Sequence, residues 1–268
     1  MLETADWSER DLAEFSRCVR AELGIKMPAS KSLMLQSRIL RRLRQLNIES
    51  LDEYRERLFH SVHSEEERVH FLDIVTTNHT SFFREPQHLE HLKRQARQTR
   101  GVVTVWSAGC SSGEEPYTIA MVLAELEVEF LVLATDVSTA MVQQAAAGIY
   151  DQDRVGAVPA EMRKKYLLRS KDARQTLVRV VPELRERVRF HHLNFMDDDY
   201  GVADRMDVIF FRNVMIYFDK PTQERVVNRL CRHLRPKGLL FTGHSESLAG
   251  LAVPLDMIAP AVYRRTSG

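Results

Sequence analysis

The chain has 268 residues, with 38 Lys plus Arg against 37 Asp plus Glu, 44% hydrophobic and 28% charged. This balance excludes a disordered or collagen-like chain and is expected of a soluble globular protein with room for two domains of unequal size. A net charge of +1 excludes a global attraction to nucleic acid or to an anionic membrane, so any charged patch must come from position. No stretch approaches the ~20 apolar residues of a membrane span. Met1 to Arg20 scatters charge where a signal peptide carries an apolar core, and a cytoplasmic location is expected. Cys18, Cys110 and Cys231 are odd in number and far apart, which offers neither a disulfide framework nor a CxxC zinc pair.

From Asp6 to about His91 apolar residues recur three and four apart with few glycines, which predicts a helical domain over 1–85. One helix is expected from about Ser30 to Leu46, with Leu33, Ile39, Leu40, Leu43 and Leu46 on its apolar face. Lys31, Arg38, Arg41 and Arg42 then fall on the opposite face. Arg17 to Arg44 holds eight Lys or Arg and a single acid, Glu22, so charge is concentrated here; a solvated face is the plainest reading. A linker is expected over 86–100. Beyond it, over 101–268, apolar runs at Val102–Trp106, Phe130–Ala134, Val188–His192, Asp207–Phe211 and Leu239–Thr242 alternate with helical patterns near Glu115–Leu126, Ser138–Ala147 and Thr222–Leu234. Such alternation predicts an α/β doubly wound parallel sheet covered on both faces. Leu177–Val181 does not fit that rhythm and, after the polar stretch Ser170–Thr176, predicts a small β excursion near 167–187.

The first apolar run leads into Gly109-Cys-Ser-Ser-Gly113-Glu-Glu115-Pro just before a helix. Glycines at a strand-to-helix turn let the backbone approach a ligand. The stretch is neither GxGxxG nor a P-loop, and Glu114 and Glu115 stand where a pyrophosphate would sit, so a cofactor bearing a cation suits the loop better. Asp136 follows Gly113 by 23 residues, close to the ~20 that separate a glycine turn from an acid binding ribose hydroxyls. Loop and acid together suggest an adenosine ligand without phosphate, the character of S-adenosylmethionine. A tight turn with dipole-complementing glutamates and a helix-capping Asp136 is the plainer alternative.

Arg212, Asn213 and Tyr217 follow a buried run at the edge where open α/β sheets bind ligands. Thr76 to Pro86 is dense in hydrogen-bonding side chains around Phe82 and Phe83 and reads as a loop. The pairs His60/His63 and His88/His91 have a metal-like spacing, but no third ligand is evident and no metal is expected. His244, Ser245 and Glu246 are adjacent and cannot converge as a triad; a turn lining the pocket is expected.

Four segments, Asn78-His-Thr-Ser-Phe-Phe-Arg84, Val105-Trp-Ser-Ala-Gly-Cys-Ser-Ser-Gly-Glu-Glu-Pro-Tyr117, Phe211-Arg-Asn-Val-Met-Ile-Tyr-Phe-Asp219 and Gly243-His-Ser-Glu246, together resemble the chemotaxis-receptor glutamate methyltransferases, the CheR family. The resemblance covers nearly the whole chain. It implies a small all-helical N-terminal domain, an S-adenosylmethionine-dependent methyltransferase sheet, and an inserted β subdomain. It also implies that Asn78, Thr80, Arg84, Glu115, Asp136, Asn194, Phe195, Arg212 and Asn213 line the S-adenosylmethionine site, with Arg84 and Tyr217 next to the methyl group. The implied partner is the cytoplasmic helical domain of chemotaxis receptors, whose glutamates become methyl esters in sensory adaptation. Lys31, Arg38, Arg41 and Arg42 are the candidate docking residues. The β excursion lacks glycines that some members use to bind a receptor tail peptide, which leaves tail binding open. A methyltransferase of the same fold acting on another protein, nucleic acid or small molecule is the alternative.

Overall fold

Amphipathic helices bury one stripe each, and the first part of the chain is built from four of them. The computed structural model describes residues 7, 9–172, 174–202 and 205–266. Two compact units divide the chain, one of Met1–Thr77 with Tyr217–Asp219 and one of Asn78–Ile216 with Lys220–Gly268. The helical unit contains α1 (Glu9–Leu23), α2 (Ser32–Leu46), α3 (Leu51–Phe59) and α4 (Ser64–Val75). Phe15, fully buried, gathers Tyr54, Phe59 and Phe71 around it at ring-centroid distances of 6.2, 5.9 and 5.8 Å. Ser50 starts α3, its hydroxyl accepting from the N–H of Glu53 at 3.1 Å, and Asn47 ends α2 in the left-handed region at φ 54.

The face of α2 differs from the expected one. Leu35, Gln36, Ile39, Leu40 and Leu43 are its buried residues, whereas Leu33 is 72% exposed. Six residues at ~100° each carry Leu33 away from Ile39, so the two never shared a stripe. The charged face needs the same correction. Arg38 donates from Nη1 to the carbonyls of Ile74, Val75 and Thr76 at 3.0, 2.8 and 2.7 Å, closing the C-terminal end of α4. Arg42 grips Glu67 through both nitrogens, at 2.9 and 2.8 Å, and the Tyr54 hydroxyl donates to the same carboxylate at 3.1 Å. Burial alone would raise the Glu67 carboxyl, but the hydrogen bonds and charge of Arg42 outweigh it and hold the group below the usual carboxylate range. Arg38 and Arg42 are therefore internal ties between helices. Arg41 is exposed, and the Lys31 ammonium stands 4.7 Å over the ring of Tyr217.

In the second unit a helix, α5 (Gln87–Gln98), occupies the stretch where a linker is expected, because His88, Leu89, Leu92 and Ala96 form an inward stripe. Then come β1 (Val103–Ala108), α6 (Glu114–Ala124), β2 (Phe130–Asp136) and α7 (Thr139–Ala147). The excursion follows as β3 (Ile149–Asp151), α8 (Ala160–Tyr166), β4 (Leu167–Arg169) and β5 (Leu177–Val180). The chain closes with α9 (Pro182–Arg185), β6 (Val188–His192), β7 (Met206–Phe210), α10 (Lys220–His233), β8 (Leu234–Phe241), β9 (Leu255–Ala259) and β10 (Val262–Arg265).

Seven strands run in the order β6-β2-β1-β7-β8-β10-β9, parallel except for β10, which is antiparallel to both neighbours. The order reverses between β1 and β7, which makes the carboxyl ends of these two strands the switch point. A separate sheet, β3-β5-β4, carries the excursion, with β5 antiparallel to both partners. Ala173, within the expected excursion, lies outside the described residues. The sequence reading misses β3, α8 and the β9–β10 hairpin. Short strands half exposed to solvent, such as β9 with Met257 68% exposed, leave no apolar run to find.

Candidate active site

At the carboxyl end of β1 the chain turns through Gly109 (φ 90), Ser111 (φ 49) and Gly113 (φ 95) before α6 begins. The glycines serve packing as well as conformation. A Cβ on Gly109 would lie 2.6 Å from Val214 Cγ2, and one on Gly113 would lie 2.8 Å from Ala145 Cβ and from the Tyr150 hydroxyl. The loop is stitched to the end of β2, with the N–H groups of Gly109 and Cys110 donating to the carbonyl of Thr135 at 2.8 and 2.9 Å. Asp136, 7% exposed, accepts from the N–H of Ser111 at 2.7 Å on Oδ2 and of Ser138 at 2.9 Å on Oδ1.

The two glutamates of the loop do not face outward as sequence order suggests. Glu114 is fully buried, accepts from the Ser112 hydroxyl at 2.7 Å and pairs with Arg154 of the excursion. Glu115 accepts from Ser107 Oγ at 2.6 Å and from Arg212 Nε at 2.7 Å. Each already has its cation, Arg154 for Glu114 and Arg212 for Glu115, so these charges do not select a positively charged cofactor. Burial, then the neighbouring Asp136 and Glu115, pushes the Cys110 thiol well above its ordinary range, which makes it an inert packing residue.

Arg84 rides on a turn with left-handed residues on both sides, Phe83 and Glu85, each at φ 53. Such conformations cost about 1 to 3 kcal/mol and persist only when the surroundings impose them. Thr118 Oγ1 accepts from the N–H of Phe83 at 3.1 Å, and Arg212 Nη1 donates to the carbonyl of Arg84 at 2.8 Å and to Glu85 Oε2 at 3.3 Å. The Arg84 guanidinium itself donates to the carbonyl of His79 at 3.2 Å. Arg212, 8% exposed, is thus the hub that joins the Arg84 turn to Glu115. Its Nη1 also lies 3.5 Å from Nδ1 of the buried His88. Burial first, then the charge of Arg212, drives the His88 pKa down to about 3. The ring is therefore neutral, with Nδ1 standing between the Arg212 guanidinium and Glu85 Oε2, the latter at 3.4 Å.

Sequence spacing finds no third ligand for His88, yet the fold brings Glu85 and His244 to it, with ligand atoms of all three within 4.8 Å of one another. A guanidinium already stands against two of the three, which works against a second cation there. The group acts as the cage of Arg212. Neither Glu85 nor His244 carries a local sequence signal for this, because the contacts span 127 and 159 residues.

The other expected residues of the sheet unit fall around the same strand ends. Asn194 follows β6 and accepts on Oδ1 from the N–H of Met196 at 3.0 Å. Phe195 is buried edge-on against Phe211 at 5.1 Å. Asn213 is left-handed at φ 60, and Asn78 and Thr80 are half-buried ahead of the Arg84 turn. Tyr217 groups with the helical unit, where its carbonyl accepts from the N–H of Lys26 at 2.9 Å.

Residues 10–76 match the CheR methyltransferase all-alpha domain, and residues 78–262 match the CheR methyltransferase SAM binding domain. The chain belongs to the CheR methyltransferase family. It is 39% identical to chemotaxis protein methyltransferase 2 of Pseudomonas aeruginosa over 247 residues, 90% of this chain and 87% of that one. It is 38% identical to the chemotaxis protein methyltransferase of Klebsiella aerogenes, covering 99% and 93%, and 36% identical to that of Escherichia coli K12, covering 98% and 93%. The protein is accordingly an S-adenosylmethionine-dependent methyltransferase with the family's two-domain organisation. The donor set fits that cofactor: a buried acid, Asp136, stands at the end of β2 beside a loop whose backbone is pinned in place. When bound, S-adenosylmethionine supplies an electrophilic methyl group on a sulfonium; the residues around it bind, orient and exclude water.

Proposed function

We propose that the protein methylates glutamate side-chain carboxylates of chemotaxis receptors, forming methyl esters and releasing S-adenosylhomocysteine, and so serves sensory adaptation. The observation that carries this reading is the match, over nearly the full length of each, to chemotaxis protein methyltransferases. The chemistry is consistent with it. A glutamate is ionised at neutral pH, its pKa being near ~4.3, so its attack on a methyl group requires no general base. Anion and sulfonium lose their charge as they react, which a water-poor site favours.

In this reading Asn78, Thr80, Arg84, Asp136, Asn194, Phe195 and Asn213 hold the cofactor. Glu115 and Arg212 contribute by bracing the Arg84 turn and the end of β1, given the bonds they make to each other and to Arg84. Arg84 steers the acceptor carboxylate, and the Tyr217 phenol orients it by a hydrogen bond. Docking on the acidic receptor helices falls chiefly to the exposed Arg41 of α2, because Arg38 and Arg42 are occupied inside the helical unit and the half-buried Lys31 just ahead of α2 stands over the Tyr217 ring. No described helix is long and apolar enough to cross a membrane, which agrees with action on the cytoplasmic part of a receptor.

Incubation with methyl-labelled S-adenosylmethionine and a receptor cytoplasmic fragment tests the assignment. Base-labile label on the fragment is the expected result. Label that survives base, or that appears only on another class of acceptor, overturns it.

A further inference from the structure

Backbone N–H groups from two separate loops converge on one buried carboxylate. Glu246 is 7% exposed. Its Oε2 accepts from the N–H of Gly243 at 2.6 Å and of Asn213 at 2.8 Å, and its Oε1 accepts from the N–H of Ile216 at 3.2 Å. An ionised carboxylate is acceptor-only on both oxygens, so it serves several donors at once where an amide side chain cannot. The loop it holds turns through Asn213 at φ 60, the left-handed region that asparagine tolerates best among non-glycine residues.

The surroundings are built to close tolerances. A Cβ on Gly243 would fall 2.5 Å from Asn213 Nδ2 and 3.0 Å from Glu246 Oε2, so the turn is closed directly onto the Asn213 side chain. One residue further along the held loop, Val214 Cγ2 occupies the space that a Cβ on Gly109 would need. Contact therefore runs from Glu246 through the Asn213–Ile216 backbone and the Val214 side chain to the glycine loop after β1.

We propose that Glu246 is a positioning residue of the cofactor site, fixing the Asn213–Ile216 backbone so that Val214 backs the Gly109 turn and Asn213 is presented in its left-handed conformation. This deepens the functional reading and rests on the assignment of the Gly109 loop and Asn213 to S-adenosylmethionine. The carboxylate has no direct part in the chemistry. Burial raises its pKa against the opposing pull of the amide hydrogen bonds, so the ionised group is held in place at some expense of stability, a pattern expected where geometry matters more than stability.

The test is Glu246→Gln in the full chain, read by calorimetric affinity for S-adenosylhomocysteine and by thermal unfolding. The substitution preserves size but turns an NH2 toward one of the N–H donors. Its Kd is expected to rise about 10-fold or more, the effect of leaving one buried donor unsatisfied. Glu246→Asp, which keeps the charge but is too short to reach both loops, is expected to lose affinity as well. Leu234→Ala is the control. Leu234 is fully buried at the opposite end of β8, paired with Met206, so its loss lowers the melting temperature while the Kd stays at the parent value. Three results overturn the proposal: a Glu246→Gln Kd within about twofold of the parent, an equal weakening in Leu234→Ala, or failure of both Glu246 variants to fold. Because the readout is cofactor affinity, a parent that binds the cofactor product yet forms no ester on receptor sinks the acceptor assignment alone.

Discussion

Glu67 in the helical unit and Glu246 in the sheet unit are both buried carboxylates, and they are satisfied by opposite means. Glu67 is gripped by a guanidinium and a phenol, and Arg42, with Tyr54, drives its pKa down despite burial. Glu246 is held by backbone N–H groups, and burial leaves its pKa raised. A side-chain partner ties one helix to another and contributes to stability. Amide partners instead fix the path of a loop, and the group stays costly to ionise. The helical unit thus uses its buried acid as cement, while the sheet unit uses one to shape the neighbourhood of a ligand.

The sharpest way to break the comparison is to remove the cation. Arg42→Ala leaves Glu67, 1% exposed, without its bidentate partner, and breaking a buried pair from one side costs about 3 to 5 kcal/mol. Urea unfolding is expected to show a loss near the lower end, because Arg57 Nε stands only 3.6 Å from the same carboxylate and takes over part of the charge. A loss under about 1 kcal/mol would mean that Arg57 is the real partner. The same geometry means that a charge-reversed Arg42 reports unfolding rather than receptor docking.

A second effect belongs to the sheet unit. His88 keeps a pKa of about 3 when folded, lowered chiefly by burial from the usual 6.5. The unfolded chain takes up a proton that the folded chain refuses, so stability is full above pH 6.5 and falls as pH drops below it. The slope for one proton is about 1.4 kcal/mol per pH unit. Denaturant titrations from pH 7 to 5 are expected to show a steeper loss in the parent than in His88→Gln, by about this slope, while the lowered His91 and His233 contribute to both proteins alike. Equal slopes would place a protonated His88 beside Arg212, contradicting the cage.

Smaller, and more diagnostic of the contrast itself, are the two glutamates below pH 6. The lowered pKa of Glu67 gives stability that is present above its unfolded value of 4.5 and lost as pH falls through the folded value. The raised pKa of Glu246 works the other way, favouring the fold below 4.5 and losing that contribution as pH rises through the folded value. As pH falls, the parent should lose ground relative to Glu67→Gln and gain it relative to Glu246→Gln. Unfolding free energies of the three proteins across this range decide the matter; parallel curves would show that the two environments are alike.

How much of this is legible before folding depends on how local each signal is. Val188–His192 matches its strand to the residue, although only Val188 is buried there, because the run is bounded by polar stretches on both sides. The glycine turn and Asp136 are legible because strand ends and glycines mark themselves in the chain. The stripe on α2 is misread at Leu33, since a helical face is a matter of angle rather than of counting leucines. The partners of Arg38, Arg42 and Arg212 are not legible at all. An arginine reads the same whether solvated or bound to a carboxylate 97 residues away, as Arg212 is to Glu115, and only tertiary packing separates the cases. Gly243 to Glu246 is visible as a turn, but its function as an amide collector depends on a loop some 30 residues earlier.

The smallest structural effect is expected at Arg41, an exposed charge of α2. Exposed charges away from caps and partners change stability by no more than about 0.5 kcal/mol when substituted. Arg41→Glu should therefore melt with the parent and bind S-adenosylhomocysteine with the parent's affinity, unlike any change at Arg38 or Arg42. If α2 docks on acidic receptor helices, the reversal raises KM for a receptor fragment at low salt. The gap should close as salt is added, since exposed charges are screened over ~10 Å at 0.1 M. Steady-state kinetics across a salt series read both quantities at once. A KM equal to the parent's at low ionic strength would leave Arg41 as one more solvated charge and move the search for the docking face off this helix.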